Sequence, residues 1–231
     1  TMKTIGLLGG MSWESSIEYY RIINQAVRER LGGFHSARCV MYSVDFAEIE
    51  TAQSQGKWDE VAAQLIDAAR NIELAGADFL LICTNTMHKF SEQIQEQIDI
   101  PLLHIADATA DAVRNAGIDT IALLGTRVTM EEDFIRGRLE NQHNLRVLIP
   151  DKQEREIINH VIYQELVVGK IILSSKQKYI EIIDQLVGRG AQGVILGCTE
   201  IGLLVKADDV EIPIFDTAYI HALSSVNYAL T

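Results

Sequence analysis

Residues 75–86, AGADFLLICTNT, and residues 189–200, RGAQGVILGCTE, carry one pattern twice: a glycine turn, a short apolar run and a polar tip. The offset between them is 114 residues. IGLLGG at 5–10 pairs in the same way with IALLGT at 121–126, an offset of 116, and IPLLHIADA at 100–108 pairs with IPIFDTAYI at 212–220, an offset of 112. Three matches in one order at nearly constant spacing identify an internal duplication, which has to be recognised before any fold is chosen. The chain reads as two copies of one α/β unit, each with a last strand that begins at an Ile-Pro.

Short β-rich apolar runs at 4–8, 39–44, 79–83, 120–124, 145–149, 193–196 and 212–215 read as strands, and longer stretches with helical periodicity lie between them. Alternation of this kind signals βαβ units around a mostly parallel sheet. Ser12 is placed to cap a helix with an apolar face of Ile17, Tyr20, Ile23 and Val27, ending near Gly32-Gly33, and 58–74 and 178–187 also read as helices. The expected architecture is α/β, with two pseudo-symmetric three-layer domains. One is formed by 2–100 plus 212–231 and the other by 101–211, with the active site in the cleft between them. Ligands of parallel sheets sit at the carboxyl ends of strands, where the two polar tips fall. The duplication aligns Thr84 with Cys198, Asn85 with Thr199 and Thr86 with Glu200, so a pseudo-dyad sets Thr84 and Cys198 on opposite walls of one pocket.

A chain of 231 residues that is 48% hydrophobic can bury a sizeable core. Its formal charge of −12, without a run of Lys and Arg, disfavours nucleic acid as a partner. No apolar stretch is long enough to span a bilayer, and the first residues run directly into a strand without a leader-like segment, so a soluble, cytoplasmic protein is expected, with Thr1 extraneous to the start at Met2. The three cysteines, Cys39, Cys83 and Cys198, are odd in number and show no metal or disulfide spacing. The histidines at 35, 104, 143, 160 and 221 have no ligand spacing either, so no metal is assigned. A homodimer fits this composition as well as a monomer does.

A thiol at the end of a strand and the start of a helix sits in a field that favours thiolate, and the N–H groups there can bind a carboxylate. Cys198 is therefore a candidate base or nucleophile. Cys83 points the opposite way from Thr84 along the strand and is a weaker candidate. His88, one helical turn beyond Thr84, reads as a structural histidine or as one that orients a neighbour. GLLGGMS lacks the spacing of a nucleotide loop and reads as a tight strand-to-helix turn.

These residues resemble a known family. GLLGGMSWESSIEYY at 6–20, CTNTMH at 83–88 and ILGCTEIGLL at 195–204 are similar to the pyridoxal-phosphate-independent aspartate/glutamate racemases, over essentially the whole chain. The resemblance implies an isomerase that inverts the α-carbon of aspartate or glutamate by two-base proton transfer without a cofactor. It places catalysis on Cys198 and on the position of Thr84, and substrate contacts on Met11, Asn85, Thr86, Thr199 and Glu200. Gln53, on the loop after the second strand, is the best match for binding the side-chain carboxylate, ahead of Lys170 and Arg127. Members with two thiols have Cys-Asn-Thr where this chain has Thr84-Asn85-Thr86. A hydroxyl is a poor resting base but can deliver a proton to a carbanion, so one enantiomer, with the L form as the leading expectation, should be preferred as substrate. Two other readings stay open: a single-cysteine decarboxylase of malonate-type acids, and a binding module for amino acids that has lost catalysis.

Overall fold

The computed structural model describes all 231 residues, which divide into two units: Thr1–Ile105 with His221–Thr231, and Ala106–Ile220. The first contains β1 (Ile5–Gly9), α1 (Trp13–Leu31), β2 (Cys39–Ser43), α2 (Phe46–Ser54), α3 (Trp58–Leu74), β3 (Phe79–Ile82), a 3-10 turn (Thr86–Phe90) and α4 (Ser91–Gln95). Helix α5 (Ile105–Asn115) starts at its last residue and carries the chain into the second unit. There follow β4 (Thr120–Gly125), α6 (Arg127–Glu131), α7 (Arg136–His143), β5 (Arg146–Leu148), α8 (Lys152–Gln164), a 3-10 turn (Leu166–Val168), α9 (Leu173–Gly188), β6 (Val194–Gly197), α10 (Ile201–Leu204) and β7 (Ile214–Asp216). Helix α11 (Thr217–Leu230) brings the chain back to the first unit. No helix is long and apolar enough to cross a membrane.

Both sheets are parallel throughout, in the orders β2-β1-β3 and β5-β4-β6-β7. The first continues past β3 through a parallel bridge between Leu80 and Leu102, so the two orders are the same topology used twice. The duplication extends to single hydrogen bonds. Leu80 N–H donates to Pro101 O at 2.9 Å as Val194 N–H donates to Pro213 O at 2.9 Å, and Asp78 N–H donates to Thr4 O at 2.8 Å as Gln192 N–H donates to Thr120 O at 2.9 Å. All seven expected strands form, each with at least one end displaced, by no more than two residues.

In the first unit, α3 covers one face of the sheet: Leu8, Leu80 and Ile82 share a buried cluster with Val61, Leu65 and Ile72. On the other face Phe79 meets Tyr228 of α11 edge-on, with ring centroids 4.8 Å apart. In the second unit, Ala122, Leu124, Val194 and Leu196 pack on Ile158, Val161, Tyr179 and Ile183 from α8 and α9. Their neighbours Ile121, Leu123 and Ile195 are equally buried. Covering both faces explains why these strands read as continuous apolar runs rather than as alternating ones. Each Leu or Ile so buried contributes about 1.5–3 kcal/mol relative to exposure.

Three expectations are corrected. Residues 101–105 stay with the first unit and 212–220 with the second, so the boundaries lie at 105/106 and 220/221. Each Ile-Pro segment is hydrogen-bonded to its own sheet, Pro101 to Leu80 and Pro213 to Val194, which fixes where it belongs. In α1, Ser12 is the N-cap, but the buried face is Tyr19, Ile22, Ile23, Ala26 and Val27. Ile17 and Tyr20 are 51% exposed each, because the apolar residues of this helix exceed what one face can bury. Gln53 lies within α2, not on a loop: Asp45 caps that helix by accepting from Ala47 N–H at 3.0 Å and brings the chain into helix directly after β2.

The turn after β1 depends on glycine. Gly10 has φ +95°, and a Cβ there would collide with the backbone N and O of Val44. Its N–H donates to Ser16 Oγ at 2.8 Å. Gly117 has a similar φ of +73° but opens onto free space. Gly10→Ala should therefore cost about 2 kcal/mol or more in urea unfolding, against about 1 kcal/mol for Gly117→Ala, where only the backbone preference is lost. Equal losses would show that the close approach at Gly10 is unimportant.

Candidate active site

The chain leaves β3 at Ile82, and the next residues are fixed mainly through their backbone. Cys83 N–H donates to Leu8 O at 2.9 Å, and Cys83 O accepts from Ser15 Oγ at 2.9 Å, which ties the end of β3 to the first turn of α1. The Cys83 side chain is buried, and burial alone pushes its thiol far above the ordinary range, the state of an inert core cysteine. Thr84 is half-buried. Its carbonyl lies 2.8 Å from His88 Nδ1, while His88 N–H donates to Asn85 O at 3.1 Å. Asn85 and Thr86 are buried at the entry to the 3-10 turn.

Behind Thr84 lies a buried group of aromatic rings. His88 is 4.6 Å from His104 and 5.7 Å from His221 between ring centroids. His221 Nδ1 is 2.9 Å from the Tyr19 hydroxyl, and its Nε2 is 2.8 Å from Leu103 O. Burial, with the neighbouring imidazoles adding to it, holds His88 well below the ordinary histidine range, so it is neutral. Met11, expected to touch substrate, is packed in the cluster with Leu8 and Ile49 and is 5% exposed. Gln53 is partly buried on α2.

In the second unit β6 ends at Gly197, whose close approach to its neighbour leaves no room for a side chain: a Cβ there would lie 2.9 Å from Leu124 O. Cys198 follows, partly buried, and its Sγ donates to Glu200 Oε2 at 3.0 Å. Thr199 and Glu200 are partly exposed. Burial, and after it the Glu200 carboxylate, raise the Cys198 thiol well above its ordinary value, while hydrogen bonding from the Glu200 and Ile201 N–H groups acts in the opposite sense. Together these influences favour the thiol over the expected thiolate. Helix α10 has only four residues, and burial together with the nearby carboxylate outweighs its field. What the sequence reading lacked here was the direction of the Glu200 side chain. It also missed Ser15 and Ser16, which are signalled only by their place in the turn after a capping serine, and the assembly of Tyr19 with three histidines.

Thr84 and Cys198 thus occupy corresponding places in the two repeats, Thr84 just beyond β3 and Cys198 just beyond β6. Each is accompanied by polar residues at the next two positions. A neutral hydroxyl at one place and a protonated thiol with its own carboxylate acceptor at the other can each release a proton, and only the thiol has a built-in base. No group of three or more His, Cys, Asp or Glu side chains is arranged to hold a metal ion.

Residues 8–224 match the model of the Asp/Glu/Hydantoin racemase family. The chain is 25% identical over 169 residues to the broad specificity amino-acid racemase RacX of Bacillus subtilis, covering 73% of this chain and 72% of that protein. Among solved structures, a Yersinia pestis protein described as a candidate Asp/Glu racemase is 52% identical, with a TM-score of 0.95 and full coverage of both chains. An aspartate racemase homologue from Pyrococcus horikoshii is 34% identical, with a TM-score of 0.87 and full coverage of both chains. Unliganded arylmalonate decarboxylase shares the fold at 10% identity and a TM-score of 0.52, covering 98% of this chain and 93% of its own.

Burial and the Glu200 carboxylate both hold the Cys198 thiol above its ordinary value. Alkylation of Cys198 by iodoacetamide, followed by peptide mass mapping, should rise only above the pH of an ordinary thiol. Glu200→Gln removes a charge that disfavours thiolate, so it should move the midpoint to lower pH and speed alkylation at pH 8. A midpoint at or below the ordinary value in the unchanged protein would contradict the assignment.

Proposed function

Because the chain belongs to the Asp/Glu/hydantoin racemase family, we propose that it is a cofactor-independent amino-acid racemase acting on aspartate or glutamate, with the L enantiomer the better substrate. The observation that carries this reading is the unequal pair at the two equivalent strand ends, a thiol with a carboxylate partner at Cys198 and a hydroxyl at Thr84. RacX supports amino acids as the substrate class, and the Pyrococcus homologue supports aspartate.

Cys198 first passes its thiol proton to Glu200, to which it is already hydrogen-bonded. The thiolate then removes the α-proton: the Cα–H bond breaks, its electron pair moves toward the substrate carboxylate, and Sγ gains the proton. Thr84 delivers its hydroxyl proton to the opposite face of the planar carbanion, forming the new Cα–H bond, and recovers a proton from solvent, while Glu200 releases to solvent the proton it took from Cys198, so that both groups return to their starting states. A hydroxyl is far less acidic than a thiol, so the reverse step, with Thr84 as base, is the slow one. Asn85, Thr86, Thr199, Glu200, Gln53 and Met11 are assigned to substrate binding.

Cys198→Ala should reduce inversion of both enantiomers by roughly a thousandfold or more in a chiral assay. Thr84→Cys should raise inversion of the poorer enantiomer toward that of the better one, since it supplies a second group able to ionise near neutral pH. Carbon dioxide release from malonates, with no inversion of any amino acid, would replace this reading with the decarboxylase.

A further inference from the structure

His88 has both ring nitrogens committed to backbone. Nδ1 lies 2.8 Å from the Thr84 carbonyl, which can only accept, so Nδ1 must carry the proton. Nε2 lies 3.2 Å from Ile105 N, which can only donate, so Nε2 must be bare. Both contacts are satisfied by one species, the neutral ring protonated at Nδ1. The ring is fully buried, and His104 and His221 stand beside it. A charged ring there would leave Nε2–H facing Ile105 N–H, two donors opposed.

The ring holds two places in the chain at once. One is Thr84, which opens the polar turn after β3. The other is Ile105, the first residue of α5 and the end of the first unit's leading segment. A second histidine secures the same segment two residues earlier, since His221 lies 2.8 Å from Leu103 O. Thr84 is outside any regular element, so no strand or helix ladder sets its carbonyl. The His88 Nδ1 contact is the long side-chain arm that does so.

We propose that His88 is a positioning residue for Thr84, holding the threonine's backbone, and with it the hydroxyl, in the place from which it protonates the substrate. The proposal rests on the racemase reading above. It predicts damage confined to one half of the reaction. With Thr84 misplaced, Cys198 still removes the α-proton, exchanges it with solvent and returns it to the same face, so solvent label enters the substrate without inversion. A merely structural role would lower exchange and inversion together.

The two amide variants separate the two nitrogens. The Asn amide N–H falls near the position of Nδ1 and keeps the donor to Thr84, whereas the Gln amide reaches the position of Nε2 and keeps only the acceptor for Ile105. In D2O, with the preferred enantiomer, His88→Gln should lower the ratio of inversion to α-deuterium incorporation by about tenfold or more, the scale of loss expected from a misplaced catalytic group. His88→Asn should restore most of that ratio. Equal loss of both rates in His88→Gln, or a His88→Asn protein that stays folded by circular dichroism and yet behaves like His88→Gln, overturns the proposal. The intact protein gives a test that needs no variant: 15N-resolved NMR at pH 7 should show Nδ1 protonated and Nε2 bare at His88, and an Nε2–H or doubly protonated ring overturns it. An unchanged protein that neither exchanges nor inverts any amino acid would instead count against the racemase reading, leaving the tautomer measurement to decide the role of His88.

Discussion

A parallel strand covered on both faces can present side chains to a ligand only where it ends. This constraint shapes both halves of the protein. β3 and β6 are fully buried. Each gives way at its carboxyl end to residues whose polar groups are no longer taken up by the sheet: Thr84, Asn85 and Thr86 in one case, Cys198, Thr199 and Glu200 in the other. The helices that cover the sheets supply much of the stability, and close packing at Gly6 and Gly197 lets the strands lie against one another and against α3 without side chains between them. The sheets fix where these two short turns begin.

The two turns are held differently, and the difference bears on mechanism. Around Thr84 the supports are backbone contacts from buried neutral groups, Ser15 to the Cys83 carbonyl and His88 to the Thr84 carbonyl. Around Cys198 the central contact joins two ionisable side chains, Sγ and Glu200. Glu200 acts in two senses. Its charge adds to burial in raising the thiol, and in the proposed mechanism the same carboxylate accepts the thiol proton.

Much of this was legible in the chain. Seven apolar runs at β-like spacing marked seven strands, and a duplication at an offset near 114 residues showed that Thr84 and Cys198 are equivalent positions. What escaped the sequence has physical causes. The face of α1 was misjudged because Ile17 and Tyr20 are as apolar as the residues that are buried, so periodicity alone could not set the phase. The unit boundaries were misplaced because membership is decided by hydrogen bonds at Pro101 and Pro213, which leave no composition signal. Cys198 was expected as a thiolate because a strand-to-helix turn favours one. Burial of the thiol and, after it, the direction of the Glu200 side chain, neither visible in sequence, act against it. The grouping of Tyr19, His88, His104 and His221 depends on residues about two hundred positions apart.

The central claim is that proton transfer is divided unequally between a thiol and a hydroxyl. The most direct measurement is NMR of the α-proton in D2O, with no added cofactor, on pure L- and D-aspartate and L- and D-glutamate in separate samples. Rapid loss of the α-proton with inversion is predicted from one enantiomer of a given amino acid, and slow loss from its mirror image. Equal and rapid exchange from both enantiomers would contradict it, because two such unlike groups cannot serve as equally good bases.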